Sequence, residues 1–566
     1  MKKILCLFFF LLLIVSTLLP AAAQTETQAP GFAVATDLHY VRPMPDTQSK
    51  LVDLYPNISF SGSDNVTANE SGFVIDAFLR QCAEDDGVQY VFLTGDLATY
   101  GRDLPEEHEA LAEKLAAFED ATGKSVYVIN GNHDNGKTSL TNYERFTEIY
   151  ARFGYDEAFS RDTSCCSYAA RLGERYMLIA LDSCDEGMYL ADGVDAARLR
   201  WVKQQAALAE QEGRYTILLM HHNLLEHKPL QLLTDSKYTV RFPHTYASLF
   251  ADWGIKLVFS GHTHEADAAQ YTSACGNTVV EFVNGALTAY PAQYKVFSLA
   301  EDAVRYSTKS VQSIDTAALS AAVRGYTDAE LQWMQTDFPG WIRDKYLTVQ
   351  SERIKQSLTA EGLGFKQGDL FYPTVKAITD GILADLQTPL YGDNSVSRAA
   401  ADYGISIPQS DYADVQQVIA QIAFGKVDGT RRYGFDSAEV QIVLGYLQCV
   451  LRRETAALCD ETCLKLANQI AAKLGNSDTI AADTARTLSR TFGARTGVET
   501  LALALLSPYL QGCIGTDSAP DNHSGTLPGW GAKTPHLQNI AAKTAGTFRT
   551  FWDRLVVVLK ILLRIY

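Results

Sequence analysis

The segment Ser125–Asp134, SVYVINGNHD, decides how this chain is read. Val126, Tyr127, Val128 and Ile129 form a short continuous apolar run, and Asn130-Gly131-Asn132-His133-Asp134 ends it at once. Such a run, bounded by Asn and Gly, describes a strand buried on both faces, the kind found in sheets covered by helices. The same design recurs to either side, at Phe32–Thr36, Val88–Thr94, Tyr176–Leu181, Tyr215–Met220 and Ile255–Ser260. Amphipathic helical stretches alternate with these runs, which predicts an α/β architecture from Gly31 to about Val311. Three later runs, Thr278–Val283, Lys295–Leu299 and Ala303–Ser307, lack long intervening helices and are expected to form a closing antiparallel group.

Five of the runs hand over directly to residues of metal-ligand type. Asp37-Leu38-His39 follows the first, Gly95-Asp96 the second and Gly131-Asn132-His133-Asp134 the third. His221-His222 follows Met220, and Gly261-His262-Thr263-His264 follows Ser260. Of the 11 histidines, nine lie between His39 and His264. Ligands of open α/β sheets bind outside the carboxyl ends of the strands, so five loops are expected to bring oxygen and nitrogen donors to one crevice. Carboxylate, amide and imidazole donors without thiolate suit Mn, Fe, Zn, Co or Ni. Two divalent ions about 4 Å apart need a bridging carboxylate; together they lower the pKa of water and clamp phosphate oxygens. The glycines before Asp96, Asn132 and His262 are expected to permit sharp exits from the strands.

In this order the blocks D-x-H, G-D, G-N-H-D, H and G-H-x-H resemble the calcineurin-like metallophosphoesterase superfamily, over Gly31 to roughly Val311, about half the chain. The resemblance implies an α/β sandwich of two central sheets flanked by helices. It implies two divalent metal ions, with Asp37, His39 and His264 on one, Asn132, His221 and His262 on the other, and Asp96 bridging them. His133 would contact the phosphoryl group and help the leaving oxygen depart, with Asp134 orienting its imidazole. The implied activity is hydrolysis of a phosphomonoester or phosphodiester substrate by a metal-activated hydroxide, without a covalent phosphoenzyme. Two positions depart from relatives. Thr99 stands where the purple acid phosphatase branch has Tyr, which argues against a Tyr-ligated ferric site. Asn223 follows the histidine pair where many relatives have Pro, and the usual alignment of the block favours His221 over His222. His108, His227 and His244 are read as solvated or capping residues. A rival reading is a cell-envelope binding protein with a vestigial metal domain and a helical partner-binding half; the complete donor set argues against it.

The rest of the 566 residues reads differently. With 47% hydrophobic and 20% charged residues the chain is globular, and a net charge of −17 argues against a nucleic-acid surface. Met1–Ala23 has the form of a secretory signal, with Lys2 and Lys3, the apolar Ile4–Leu19 and a small-residue end at Ala21–Ala23, which predicts export. Catalytic residues would then occupy 24–311. Helical spacing at Ala317–Arg324, Asp328–Gln335, Trp341–Ser357, Tyr372–Leu386, Ala413–Phe424, Ser437–Arg453 and Glu461–Leu474 predicts a separate helical region over 312–508. Gly, Pro, Ser and Asp mark 509–546 as a loop or linker, and 547–566 as a basic amphipathic tail helix. That tail either lies on an anionic membrane or cell-wall surface or docks on the protein itself. Cys459 and Cys463, four apart on a helix, are either bridged or free. The loop Val41–Ser71 either lines a specificity pocket or is a surface insertion.

Overall fold

The computed structural model describes residues 31–43, 66–184, 193–228, 231–234, 236–300, 303–430, 433–474, 489–490, 493–510 and 519–528. The signal segment 1–23, most of the Val41–Ser71 loop and the tail 547–566 lie outside the described residues.

The strands are β1 (Gly31–Ala35), β2 (Val88–Thr94), β3 (Ser125–Ile129), β4 (Ser160–Arg161), β5 (Tyr168–Leu172), β6 (Tyr176–Ala180) and β7 (Tyr215–Leu219). They continue as β8 (Ile255–Ser260), β9 (Asp267–Thr272), β10 (Thr278–Val283), β11 (Gln293–Leu299), β12 (Ala303–Ser310) and β13 (Ser524–Pro528). One sheet runs β13-β12-β11-β1-β2-β3 and the other β4-β5-β6-β7-β8-β10-β9. β1, β2 and β3 are mutually parallel, as are β6, β7, β8 and β10. Burial explains this arrangement. The apolar runs of β1 and β6 are buried at every position, so both faces need cover.

Between the sheets stands a cluster of rings. Phe32 stacks on Phe297 at 5.1 Å and meets Phe259 edge-on at 5.5 Å, while Phe282 joins Phe297 at 5.1 Å and Tyr306 at 4.7 Å. Each such pair adds about 0.5–1.5 kcal/mol to the burial of its area. Helices cover the outer faces. The Pro105–Thr122 helix starts on its proline and ends on Gly123, whose left-handed φ of 70° lets its N–H reach the Glu119 carbonyl. Asp195 caps the Ala196–Gln211 helix through the N–H groups of Ala197 and Arg198.

Three expectations are corrected. The closing antiparallel group is divided between the sheets: β11 and β12 pair antiparallel in the first, whereas β10 runs parallel to β8 in the second. The 509–546 linker contains β13, which pairs antiparallel with β12 at the sheet edge. Its SGTLP sequence has little strand propensity, and the ladder offered by β12 overrides it. Nor is the helical region wholly separate. Ile314, Leu319, Val323, Met334, Phe338, Trp341, Ile342 and Tyr346 belong to the core of the first half, as does Phe424.

The remaining helices build a second core around Ile382, Leu451, Leu466, Ile470 and Leu501. Thr327 and Glu330 close a reciprocal capping box at the start of the Asp328–Thr336 helix. No helix among the described residues is long and apolar enough to cross a membrane. Cys459 is exposed and Cys463 buried, both as free thiols, and no described cysteine forms a bridge.

Candidate metal centre

The strand-end loops meet as expected from their order, and the backbone shows how they are held. Asp37 N–H donates to the Gly95 carbonyl at 3.0 Å, His39 N–H to the Asp96 carbonyl at 2.9 Å, and His262 N–H to Asp37 Oδ2 at 3.0 Å. Among the described residues seven non-glycine positions have positive φ, and five of them are Asp37, His39, Asp96, His262 and His264. Each costs on the order of 1–3 kcal/mol, and strain of this kind persists only where surrounding bonds over-determine it. The sequence gives no sign of this strain. Gly95 leaves β2 with a left-handed φ of 94°, as a sharp exit requires, whereas Gly131 and Gly261 act through space. A Cβ on Gly131 would stand 2.2 Å from Asp96 Oδ1, and one on Gly261 would stand 1.9 Å from Thr36 Oγ1. Close approach of backbone to ligand loop, not a sharp exit, is what these two positions require.

Two donor groups result. Asp37, His39 and His264 offer atoms within 4.8 Å of one another, and so do Asp96, His221 and His262. In the first, His264 Nε2 lies 3.2 Å from Asp37 Oδ1 and 3.1 Å from His39 Nε2. In the second, His221 Nε2 lies 3.2 Å from Asp96 Oδ2 and 3.1 Å from Asn132 Oδ1. Asp96 Oδ2 is also 3.8 Å from His39 Nε2, so one carboxylate stands between the groups. Residues 31–266 match the family described as calcineurin-like phosphoesterase. This segment is a calcineurin-like phosphoesterase domain.

Solved structures similar to the chain include a dimetal phosphatase from Danio rerio, 13% identical with a TM-score of 0.35, covering 50% of this chain and 97% of that one. Vacuolar protein sorting 29 from Cryptosporidium parvum is 12% identical with a TM-score of 0.22, covering 49% and 90%. A phosphopantetheinyl hydrolase from Mycobacterium tuberculosis is 13% identical with a TM-score of 0.24, covering 45% and 90%. No curated protein matches the chain.

The donors of the phosphoesterase domain suit cations. Asp37, His39 and His221 are fully buried and Asp96 nearly so. Burial would raise the Asp37 and Asp96 carboxyls, yet facing histidines outweigh it. His264 lowers Asp37, and His221 with His133 holds Asp96 well below the usual carboxylate range. Burial pushes the His39 imidazole down to about 3 and takes His262 well below its ordinary value, so both present neutral rings. Burial opposes protonation of His221 too, but Asp96 and Asp37 prevail and raise it to about 9. A cation seated there would displace that proton. His262 Nε2 is buried without a hydrogen-bond partner among the described residues, as suits a nitrogen intended for a metal. His221 Nδ1 is bonded to the Thr94 carbonyl at 2.9 Å, which directs Nε2 at the centre.

His222 is not in either group. Its Nδ1 lies 3.0 Å from Ser183 Oγ, and its ring stands 4.4 Å from that of His262. His133 and Asp134 differ from the expected relay. Asp134 Oδ1 accepts from the backbone N–H groups of Leu97 and Ala98 at 2.7 and 3.1 Å, and Oδ2 from that of Gly131 at 2.7 Å. Its carboxylate therefore fastens two ligand loops together. The His133 imidazole is oriented instead by the Thr99 carbonyl, 3.1 Å from Nδ1. His108 and His227 are interior residues, not solvated ones. His108 is bonded to Tyr150 and to the Asp134 carbonyl, both at 2.9 Å, and His227 lies between Asp267 and Glu281 at 2.8 and 3.0 Å.

One positioning residue escaped the motif reading. Ser183 Oγ accepts from His221 N–H at 3.2 Å and His222 N–H at 3.0 Å, fixing the start of that loop. Asp182-Ser183 lies just past β6, the same strand-end signal that marked the other five blocks.

Proposed function

We propose that this protein is an exported hydrolase of phosphate esters working at a dinuclear centre. The observation that carries the proposal is the place of Asp96, between a group of Asp37, His39 and His264 and a group of Asn132, His221 and His262. We assign one divalent ion to each group, drawn from Mn, Fe, Zn, Co or Ni, with Asp96 shared. When bound, two such ions supply Lewis-acid polarisation of phosphoryl oxygens and water of near-neutral pKa.

The chain's own residues do the rest. Asp96 Oδ1 is held by the His133 N–H at 2.8 Å, which leaves Oδ2 as the oxygen directed between the two groups. With Nδ1 tied to the Thr99 carbonyl, His133 presents Nε2 to the phosphoryl group and the departing oxygen. Asp134 keeps the Leu97–Ala98 and Gly131 backbones in register, so it acts as a positioning residue. Export rests on the Met1–Ala23 signal pattern, and contact of the 547–566 tail with a membrane or wall surface on its basic amphipathic sequence.

Asp96→Asn tests the reading. Metal analysis of the purified protein should show loss of bound metal, and kcat/KM on aryl phosphate monoesters and diesters should fall by at least about 10²–10³-fold. Near-native hydrolysis by an Asp96→Asn protein that keeps its metals would overturn the assignment.

A further inference from the structure

Glu281 of β10 is fully buried, yet it is no part of either donor group. Its Oε1 accepts from the Leu224 N–H at 2.8 Å and from the Ser260 hydroxyl at 2.5 Å. Its Oε2 accepts from the Leu225 N–H at 2.6 Å and from His227 Nε2 at 3.0 Å. Leu224 and Leu225 belong to the loop that begins at His221, and Ser260 closes β8 just before Gly261-His262. One carboxylate therefore fastens together the two loops that carry His221 and His262. Asn223 adds a second tie, with its Nδ2 donating to the Gly261 carbonyl at 3.0 Å, and Gly261 N–H donates to the His221 carbonyl at 3.0 Å.

A counter-charge lets this tie be buried. His227 Nδ1 lies 2.8 Å from Asp267 Oδ2, so each ring nitrogen faces a carboxylate and both carry protons. Burial opposes that protonation, but Glu281 and Asp267 prevail and raise the imidazole to about 9. The His227 N–H donates to Gln231 Oε1 at 2.7 Å, which steadies the backbone beneath the ring. Apolar groups of like volume often replace buried ion pairs without loss of stability. What the charged set supplies is directed bonds to two separate loops, which apolar packing does not. Asp134 does the same for the loops of Asp96 and Asn132, through Leu97, Ala98 and Gly131. Asp96, Asn132, His221 and His262 are thus held in two pairs, each by a buried carboxylate that belongs to neither donor group.

We propose that Glu281, with His227 as its counter-charge, is the positioning residue that sets the His221–His262 spacing for the second ion, the one assigned to Asn132, His221 and His262. The inference rests on the dinuclear reading above. The first ion depends on Glu281 less, because among its donors only His264 lies on a loop that this carboxylate touches.

Zinc binding to the full chain stripped of metal tests it. Calorimetry of the native protein should resolve two binding steps, and the step abolished by Asn132→Ala identifies the second ion. Glu281→Gln turns an amide N–H towards one pair of donors, and should weaken that step by about ten- to a hundredfold while the other stays near native. Val280→Ala, on the opposite face of β10, controls for lost stability alone and should leave both steps near native. The native protein labelled with 15N-histidine gives a readout without substitution. Its His227 ring should show two protonated nitrogens at pH 7, with signals that move as the second ion binds. Unchanged steps in Glu281→Gln, equal weakening of both steps, or equal weakening by Val280→Ala would overturn the positioning role, as would a His227 ring that lacks either proton or ignores the second ion. Two native binding steps would still keep the dinuclear reading. A native chain that binds fewer than two zinc ions overturns both.

Discussion

The two cores of this molecule are closed by different means. The first is centred on rings, with Phe32, Phe92, Phe259, Phe282 and Phe297 meeting between two sheets. The second is mostly aliphatic, with Ile382, Leu451, Leu466, Ile470 and Leu501 packed between helices. In the first, element and chemistry coincide, because each donor sits where an apolar strand stops. In the second, helices are marked by periodicity and caps, but nothing in their sequence states which core they join. The helices Thr316–Ala322, Asp328–Thr336 and the start of Phe338–Ser357 join the first core, although they read as the beginning of the second. A boundary in sequence pattern is therefore not a boundary in packing.

The largest test of that statement is a chain ended after Val311. It would lose Leu319, Met334, Phe338, Trp341, Phe424 and Leu527 from the first core, and would uncover the β12 edge that β13 protects. Losing several large side chains at about 2–5 kcal/mol each exceeds the usual 5–15 kcal/mol of a domain. The fragment should be insoluble or lack a cooperative thermal transition. A soluble fragment with a sharp transition would restore the two-module division.

How much could be read in advance follows the same contrast. The parallel strands were legible because each is a short, mostly apolar run that is buried over most of its length. β5 and β9 were not: YAARL and DAAQYT mix small and polar residues, and their strand state comes from the strands they pair with, β6 and β10. β13 has Gly and Pro in five residues and lies more than 200 positions beyond β12. The helix Gly497–Leu510 is apolar on nearly all sides, so it has no amphipathic stripe to reveal it. At the centre, the donors were legible from five short blocks. The left-handed dihedrals of Asp37, His39, Asp96, His262 and His264 were not, because the long-range backbone bonds that impose them leave no residue pattern.

A paired substitution sharpens the contrast between the cores. Phe297→Ala removes a ring that touches partners from both sheets and should cost about 3–5 kcal/mol. Leu501→Ala, fully buried in the second core, should cost about 2–5 kcal/mol. If the cores have separable stability, Leu501→Ala splits the calorimetric transition while metal binding survives, whereas Phe297→Ala lowers the transition that carries metal binding. One undivided transition lowered equally by both changes would mean the cores unfold as a unit.

The smallest effect probes the seam itself. Glu70 opens the Ser71–Glu84 helix of the phosphoesterase domain and is hydrogen-bonded to Tyr326, which lies between the first two helices of the helical region. Burial raises its carboxyl to about 7, and the Tyr326 hydroxyl offsets only part of that rise. The folded value exceeds the ordinary 4.5, so the folded state binds the proton more tightly than the unfolded chain does. The stability linked to Glu70 is thus complete below pH 4.5 and lost as pH rises through about 7. Glu70→Gln retains an acceptor for Tyr326 but cannot ionise. Relative to the native protein it should gain stability between pH 5 and pH 8, by on the order of 3 kcal/mol at most, measured by denaturant unfolding at both pH values. A difference that does not change with pH would show that Glu70 is already ionised at the seam, with the two regions less tightly closed there than Tyr326 implies.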